Sequence, residues 1–277
     1  MAIGIRPASF ASETTPLAPD RRASYATTSS STTSISTAST STAGSCRRGF
    51  RIKPLKYCHA RRAAKAAYSA LRHDTASHYF KAADDPLVYE LREISGLTLN
   101  FADAVYRRKA LTIGRGDAVI IYGVPGTSNS GPLLPKFSPL LRMTFSDELA
   151  ERKREFFDML RPMLESALGP RVHQMLEIQS LSTAPSKQGR GYGTALVQVV
   201  NDLADSLGRA VYVVTTDAYR FYEKCGYTLV GEVFIGDGNP AWHGPPAPIR
   251  LMLREPKAVA PRAAPESGSR KPCGTRR

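Results

Sequence analysis

The sequence predicts an α/β protein, and three patterns support this assignment. Residues 175–183 and 210–215 are strand-like and flank a glycine-rich turn and an amphipathic helix, which is the order of a β-α-β crossover. Gly114 and Gly116 lie in a turn between two stretches that contain β-branched residues, which is typical of a hairpin. The chain has 277 residues, of which 42% are hydrophobic, and this suffices for one sizeable core or two small domains.

Local composition predicts the elements upstream of this unit. Apolar residues interspersed with basic ones predict a short strand near residues 50–55. Helices are expected at about 59–72 and 99–110, and the Pro-, Gly- and Ser-rich segment 125–141 is expected to be a loop. Further elements are expected on the other side of the unit: a short helix at 219–224 and strands at 228–234 and 249–253.

A long helix is predicted directly before the first strand of the crossover. Ser146 or Asp147 can cap its beginning, and apolar residues then recur at helical spacing as far as Leu168. Gly169 is a natural end point. Pro162 falls inside the pattern, so a kink and a division into two helices both remain open.

The two ends of the chain differ in composition from the middle. From residue 24 to 45, 16 of 22 residues are Ser or Thr, and such a segment buries too little apolar area to offset its ordering entropy. We therefore expect residues 1–48 to be a disordered tail, although its composition also resembles a mitochondrial transit peptide. Residues 257–277 are predicted to be a second, basic tail, which leaves 49–256 as the folded domain.

The net charge of +14 is divided between the tails, with +8, and the remainder, with +6. A moderately basic domain suits an anionic ligand such as a nucleotide-bearing cofactor. The tails permit weak binding to nucleic acid, but few aromatic residues are interleaved with their charges, so a specific nucleic-acid partner is not expected. No apolar run approaches the roughly 20 residues that span a bilayer, so no membrane association is expected.

The cysteines and histidines predict neither a disulfide framework nor a metal site. The four cysteines are widely separated and form no Cys-x-x-Cys pair, and the five histidines show no metal-ligand spacing. Free thiols are typical of a reducing compartment. We therefore expect a cytoplasmic protein, with the mitochondrion and the nucleus as alternatives that the tails leave open.

The glycine-rich turn carries the chemistry that the sequence reveals. Glycines let the backbone approach a phosphate closely, and the N–H groups of the first helical turn, aided by the helix dipole, attract an anion. Arg190 adds a positive charge at the rim. The residues concerned are Gln188, Gly189, Arg190, Gly191, Tyr192, Gly193 and Thr194.

Two common phosphate motifs can be compared with this turn. A P-loop requires Gly-Lys-Ser/Thr, which the turn lacks. A dinucleotide fingerprint requires a third glycine or alanine, but that position is Thr194 when read from Gly189 and Leu196 when read from Gly191. Asp217, just past the next strand, is the feature that keeps a dinucleotide site as an alternative.

Three segments together resemble the GNAT superfamily of N-acetyltransferases. Gln188, Gly191 and Gly193 fill its Gln/Arg-x-x-Gly-x-Gly/Ala pattern. Residues 181–185 (Leu-Ser-Thr-Ala-Pro) resemble the strand exit that precedes this pattern, and residues 221–227 resemble its Phe-Tyr-x-x-x-Gly-Phe segment. The order and distances also match. The segment 239–254 is similar to that of uncharacterised fungal members.

This resemblance implies a GNAT-like fold and a cosubstrate. The sheet would be mixed and mostly antiparallel, flanked by helices, and splayed at the strands around Leu181 and Val213. The cosubstrate would be acetyl-CoA, with no metal. Its pyrophosphate would rest on the backbone N–H groups of residues 188–194, and its pantetheine arm would pair with the strand edge at Leu181 and Thr183.

The resemblance also implies a direct transfer to an amine. Glu177 occupies the position of a general base in several members, and strand alternation predicts that it faces the same way as Gln179 and Leu181. Tyr222 occupies the position of the general acid beside the sulfur. A solvent-facing carboxylate and a core aromatic residue remain the alternatives for these two side chains.

One departure from the family pattern concerns the arm of the cofactor. Many members place an Asn after the second strand, whereas this chain has Asp217, a poor substitute. A non-catalytic module that binds acyl-CoA is therefore the alternative function. The acceptor is expected to be a small-molecule or peptide amine, in a pocket drawn from residues 75–145 and 234–248, where Trp242 would either border the pocket or close the sheet edge. The sequence does not predict an oligomeric state.

Overall fold

In the computed structural model, which describes residues 49–257, seven strands form one mixed sheet. Its order is β1-β2-β3-β4-β5-β7-β6, and only β4 and β5 run parallel to each other. The strands are β1 (Lys53–Pro54), β2 (Ala110–Ile113), β3 (Ala118–Gly123), β4 (Leu176–Thr183), β5 (Val211–Thr215), β6 (Thr228–Ile235) and β7 (Ala247–Arg254). The predicted mixed, mostly antiparallel sheet is confirmed. The predicted tail 1–48 and all of the tail 257–277 except Lys257 lie outside the described residues.

Helices cover both faces of this sheet. They are α1 (Tyr57–Ala70), α2 (Thr75–Lys81), α3 (Pro86–Tyr106), α4 (Leu133–Arg142), α5 (Asp147–Leu168), α6 (Tyr192–Ser206) and α7 (Tyr219–Lys224). Short 3-10 turns occupy Gly169–Gln174 and Pro185–Lys187. None of the described helices is long and apolar enough to cross a membrane.

The core is divided by the sheet into one cluster on the α6 and α7 face and two on the opposite face. On the first face, Leu196 and Val200 of α6 pack against Ile178 and Val213. On the other face, α1 and α3 cover β2 and β3, and α2 and α5 cover β5, β7 and β6. The helices named here each bury an apolar stripe against the sheet, as their periodicity requires.

The parallel pair β4–β5 is short. Its paired residues run only from Leu176 with Val211 to Ile178 with Val213. Beyond this point β4 continues along β3 to Thr183, and β5 continues along β7. The predicted splay between these strands is therefore confirmed.

The helix ends follow local capping chemistry where the sequence contains it. The Ser146 hydroxyl accepts a hydrogen bond from the Leu149 N–H (3.1 Å), so Ser146 is the N-cap of α5. The helix then runs unbroken through Pro162 to Leu168, and Gly169 ends it with a φ of 54°. Of the alternatives left open for Pro162, a division into two helices is wrong.

The prediction was wrong about two helices. α3 begins at Pro86 rather than near residue 99, with Asp85 as its local N-cap. Its start was missed because the first turns, which expose Leu87 and Leu91, show no clean apolar stripe in the sequence. The predicted loop 125–141 contains most of α4, which buries no residue of its own. The Asp103 carboxylate accepts hydrogen bonds from the Leu133 N–H (3.1 Å) and the Leu134 N–H (3.3 Å) and so caps this helix from α3.

A buried ion pair fastens the end of α6 to β7. Arg254 donates from its Nη1 and Nη2 atoms to the two carboxylate oxygens of Asp205 (2.9 and 2.7 Å), and the two side chains are 4% and 15% exposed. These hydrogen bonds lower the pKa of Asp205. Two-point contact of this kind fixes both distance and angle.

We expect Asp205→Asn to lower the free energy of unfolding by about 3 kcal/mol, because it leaves the buried Arg254 without a counter-charge. Since the pKa of Asp205 is lowered on folding, the contribution is fully present above the unfolded value of about 3.9 and is lost as the pH falls through the folded value. Urea unfolding at several pH values measures both effects. Asp202→Asn, an exposed change on the same helix, should stay within about 0.5 kcal/mol, and equal losses in the two variants would contradict the argument.

Candidate functional site

The turn between β4 and α6 presents an open helix N-terminus. Gly189 and Gly191 have φ angles of 72° and 84°, in the left-handed region that favours glycine. Gly191 is the N-cap of α6, and its carbonyl accepts the first helical hydrogen bond from the Ala195 N–H (3.0 Å). The N–H groups of residues 192–194 therefore lie at the beginning of the helix, ahead of its internal ladder. This geometry favours an anion.

Side chains of the turn fold back onto its own backbone. The Gln188 amide donates to the Thr183 carbonyl (3.2 Å), and the Arg190 guanidinium donates to the Ser186 carbonyl (3.3 Å). Both Gln188 and Arg190 are exposed. The turn is thereby held in shape while its outer surface stays accessible.

The rings of Phe50 and Phe221 pack against the glycine-rich turn. Phe50 packs edge-on against Tyr192, with ring centroids 5.0 Å apart. A Cβ atom on Gly193 would lie 3.3 Å from the Phe221 ring, which is tighter than most real contacts. Gly193 therefore allows Phe221 of α7 to pack closely on the beginning of α6.

Tyr222 is fully buried in the cluster on the α6 face. Its ring packs against Phe221 and Tyr227, at centroid distances of 5.1 and 5.5 Å, and it shares the cluster with Leu181 and Val213 of the parting strands. Its hydroxyl has no hydrogen-bond partner among the described residues. Burial raises the pKa of Tyr222 well above its usual value, so the group is a protonated donor at neutral pH.

Glu177 and Leu181 lie on opposite faces of the sheet, because β4 contains a bulge between them. Ile178 pairs with Tyr122 and Ser180 pairs with Ile121, so Gln179 is an additional residue in β4. The bulge inverts the alternation, and Leu181 packs with Ile178 in the α6 cluster. The prediction that Glu177 and Leu181 share a face is therefore wrong, whereas Gln179 does lie beside Glu177.

A polar network that the sequence did not reveal surrounds Glu177. Gln179 donates from Nε2 to the Glu177 carboxylate (3.3 Å) and accepts at Oε1 from Arg107 (3.3 Å). Arg107 in turn donates from Nε to Asp103 (3.0 Å). No sequence pattern connects these positions, because Arg107 precedes Gln179 by 72 residues and joins it only through the fold.

Comparison with known proteins gives one family match. Residues 162–229 match the family model of the acetyltransferase (GNAT) domain. This segment contains β4, the glycine-rich turn, α6, β5 and α7, and with them all three motif segments of the predicted resemblance. The resemblance to the GNAT superfamily is thus confirmed over that part of the chain.

Solved acetyltransferase structures also resemble this chain. One is a polyamine N-acetyltransferase from Drosophila melanogaster that catalyses the formation of N-acetylagmatine, with 16% identity, a TM-score of 0.49, and coverage of 75% of this chain and 100% of that chain. Another is arylalkylamine N-acetyltransferase 2 from Aedes aegypti, with 15% identity, a TM-score of 0.49, and coverage of 75% and 99%.

Asp217 is committed to a structural contact. Its carboxylate accepts hydrogen bonds from the N–H (2.9 Å) and the hydroxyl (2.8 Å) of Thr75, at the beginning of α2. In the reverse direction, the Thr216 hydroxyl donates to Asp74, which caps α2. These reciprocal hydrogen bonds fasten α2 to the connection after β5. The Asp217 carboxylate is thus used within the protein, which argues against a role as a ribose-binding acid or as a substitute for the Asn that many GNAT enzymes place after this strand.

Trp242 packs as a structural residue. Its indole N–H donates to the Pro245 carbonyl (3.0 Å), and its ring lies edge-on against Tyr79 at 5.3 Å. The buried Arg152 guanidinium lies over the same ring and donates to the Ala241 carbonyl (3.2 Å). These contacts close the loop between β6 and β7 onto α2 and α5.

The remaining candidates do not form a second site. Among residues 49–257, no group of three or more His, Cys, Asp or Glu side chains could hold a metal ion. Cys58 is exposed, and Cys225 is half-buried. Burial raises the pKa of Cys225 to about 11, which disfavours the thiolate that a cysteine nucleophile requires.

We expect Cys225 to resist alkylation by iodoacetamide in the native protein. A pKa two units above the usual value leaves about a hundredfold less thiolate at neutral pH, and burial slows access further. Peptide mass spectrometry after timed alkylation should show rapid labelling of Cys58 and slow labelling of Cys225, with the difference abolished in urea. Equally fast labelling of the two native thiols would restore Cys225 as a candidate nucleophile.

Proposed function

We propose that this protein is an N-acetyltransferase that transfers the acetyl group of acetyl-CoA to an amine. The observation that carries the proposal is that the open α6 N-terminus follows the end of β4, the strand that parts from β5 after Ile178. An anion-binding turn and a gap between parallel strands suit a cosubstrate with a pyrophosphate and an extended arm. The family match over residues 162–229 supports this assignment.

The chain's own residues fit acetyl-CoA. Of the predicted residues 188–194, those from Gly189 onwards offer their backbone N–H groups to the pyrophosphate, and the glycines keep Cβ atoms out of its path. The Gln188 N–H instead donates to the Pro185 carbonyl (3.3 Å). The edge of β4 at Leu181 and Thr183, beyond its last pair with β5, accepts the pantetheine arm as an added strand. The Tyr222 hydroxyl is buried in the same cluster as Leu181 and has no hydrogen-bond partner within residues 49–257, so it provides a donor that this part of the chain leaves unused.

The proposed chemistry uses one residue from each face of the sheet. Acetyl-CoA supplies an activated thioester. Glu177 accepts the proton of the attacking amine as the nitrogen–carbon bond forms, and Tyr222 donates a proton to the sulfur as the carbon–sulfur bond breaks. Solvent then removes the proton from Glu177 and restores that of Tyr222. The acceptor approaches from the Glu177 face and is a small-molecule or peptide amine.

A module that binds acyl-CoA without turnover is the second candidate. The observation that favours it is the use of Asp217 to hold Thr75, because this segment supplies a cofactor contact in many GNAT enzymes. The two functions share the cofactor site and differ in whether Tyr222 acts. A cytoplasmic location remains our expectation.

We expect Gly191→Glu to weaken acetyl-CoA binding by about tenfold or more, since a carboxylate at the N-cap repels the pyrophosphate. Isothermal titration of acetyl-CoA into the full chain measures this. Gly208→Glu is a matched control: Gly208 also has a positive φ, of 61°, with open space around its Cβ position, but it lies beyond the other end of α6. The proposed cofactor site would be refuted if the folded wild-type protein did not bind acetyl-CoA, or if both variants weakened binding equally.

We expect Tyr222→Phe to lower kcat by about a hundredfold or more, while the acetyl-CoA Kd and the unfolding midpoint stay unchanged. The midpoint should not fall because the Tyr222 hydroxyl makes no hydrogen bond within the described residues. Thiol release with a panel of primary amines (2-phenylethylamine, agmatine, spermidine and a lysine-containing peptide) measures turnover.

Tyr227→Phe is the matched control for this variant. The Tyr227 hydroxyl donates to Asn201 Oδ1 (2.8 Å), so its removal should cost about 1 kcal/mol of stability and leave kcat intact. Full turnover by Tyr222→Phe would rule out its role as the acid. Binding of acetyl-CoA by the wild type without turnover on any amine would instead favour the non-catalytic module.

A further inference from the structure

A chain of hydrogen bonds links the end of α3 to the Glu177 carboxylate. Asp103 accepts from Arg107 Nε (3.0 Å), Arg107 Nη2 donates to Gln179 Oε1 (3.3 Å), and Gln179 Nε2 donates to Glu177 Oε2 (3.3 Å). Gln179 Nε2 also lies 3.4 Å from the Asn129 carbonyl. The chain thus runs from a buried ion pair to the carboxylate to which the proposed function assigns the base.

The direction of this chain is fixed by chemistry. A guanidinium can only donate hydrogen bonds, so the amide oxygen of Gln179 must face Arg107. The amide nitrogen must then face Glu177, whose carboxylate is a stronger acceptor when it is ionised than when it is protonated. A hydrogen bond donated to the charged form of a carboxyl group favours that form.

The far end of the chain is rigid. Asp103 is fully buried, and Arg107 is 6% exposed at its side chain. Asp103 also accepts from the N–H groups of Gly131 (2.7 Å), Leu133 (3.1 Å) and Leu134 (3.3 Å), which hold the segment before α4 in place. Burial lowers the pKa of Arg107, and the Asp103 carboxylate opposes this effect, so the guanidinium stays charged.

The bulge in β4 allows the Gln179 side chain to join this series of hydrogen bonds. Gln179 has no register partner on β3, since Tyr122 pairs with Ile178 and Ile121 pairs with Ser180. Its side chain is aimed by Arg107 and Asn129 instead. Bulges of this kind commonly redirect a side chain near a functional site.

We infer that Gln179, oriented by Arg107, is a positioning residue that holds Glu177 ionised and aimed for proton acceptance. The inference rests on the proposed function for its catalytic meaning, but the contact itself can be tested without turnover. From other elements, Arg107 at the end of α3 reaches Glu177 through Gln179, and Tyr212 on β5 is the register partner of Glu177. Neither Gln179 nor Arg107 is assigned a contact with the reacting atoms.

The first test is a direct titration of Glu177 in the full chain. Carbon-13 NMR of protein labelled at the glutamate carboxyl carbons follows each carboxyl group with pH, and Glu177→Gln identifies the resonance. Gln179→Met keeps the length of the side chain but removes its donor, so the pKa of Glu177 should rise by about one unit relative to wild type. Gln179→Glu keeps an acceptor for Arg107 and adds a like charge, so the rise should be larger.

Gln198→Met is the matched control for this titration. Gln198 also donates to a carboxylate, that of Asp202 (2.6 Å), but on the exposed surface of α6, so the Glu177 titration should not change. Arg107→Lys keeps a charge beside Asp103 but cannot reach Gln179 with a second donor, and it should give a smaller rise than Gln179→Met. An unchanged Glu177 titration in folded Gln179→Met would overturn the inference.

The second test is the pH dependence of kcat/KM for the best amine of the panel. Its acid limb should move to higher pH in Gln179→Met by the same amount as the Glu177 titration, with an unchanged acetyl-CoA Kd. A titration that moves without the rate profile would overturn the role of Glu177 as base, and with it the catalytic meaning of the chain. If the wild-type protein does not bind acetyl-CoA, the proposed function alone is refuted. The NMR titration still tests whether Gln179 acts on Glu177.

Discussion

The three-residue length of the parallel pair between β4 and β5 is the constraint on which the proposed site depends. Each strand continues past Ile178 or Val213 along its antiparallel neighbour, β3 or β7, so neither loses its place in the sheet when they part. The gap leaves backbone groups of β4 without a partner on β5. A ligand with amides of its own is the natural way to satisfy such an edge.

The sheet separates the two groups to which we assign proton transfer. Tyr222 lies in an apolar cluster with α6, where desolvation keeps its hydroxyl protonated. Glu177 lies on the other face, where Gln179 donates to it and Arg107 provides a fixed charge. The proposed acid thus lies in an apolar environment and the proposed base in a polar one.

The sequence predicted what is encoded contiguously. The segment from β4 to α7 carries its own strand patterns, its turn glycines and its aromatic support, so both the crossover and the cofactor motif could be identified locally. The face of Glu177 could not, because the bulge at Gln179 depends on its register with β3. α4 was missed for a related reason: its beginning is capped by Asp103, which belongs to α3.

The same distinction explains why a cofactor can be proposed here while the acceptor stays open. The cofactor side is built from one segment, 176–227, whereas the Glu177 side combines α3, the segment before α4 and a bulged strand. Residues 124–175 connect β3 to β4, which are adjacent in the sheet, and they carry α5 across to β6 and β7 before returning. We therefore expect the choice of acceptor to depend on side chains outside the cofactor segment, because a shared fold does not fix a substrate.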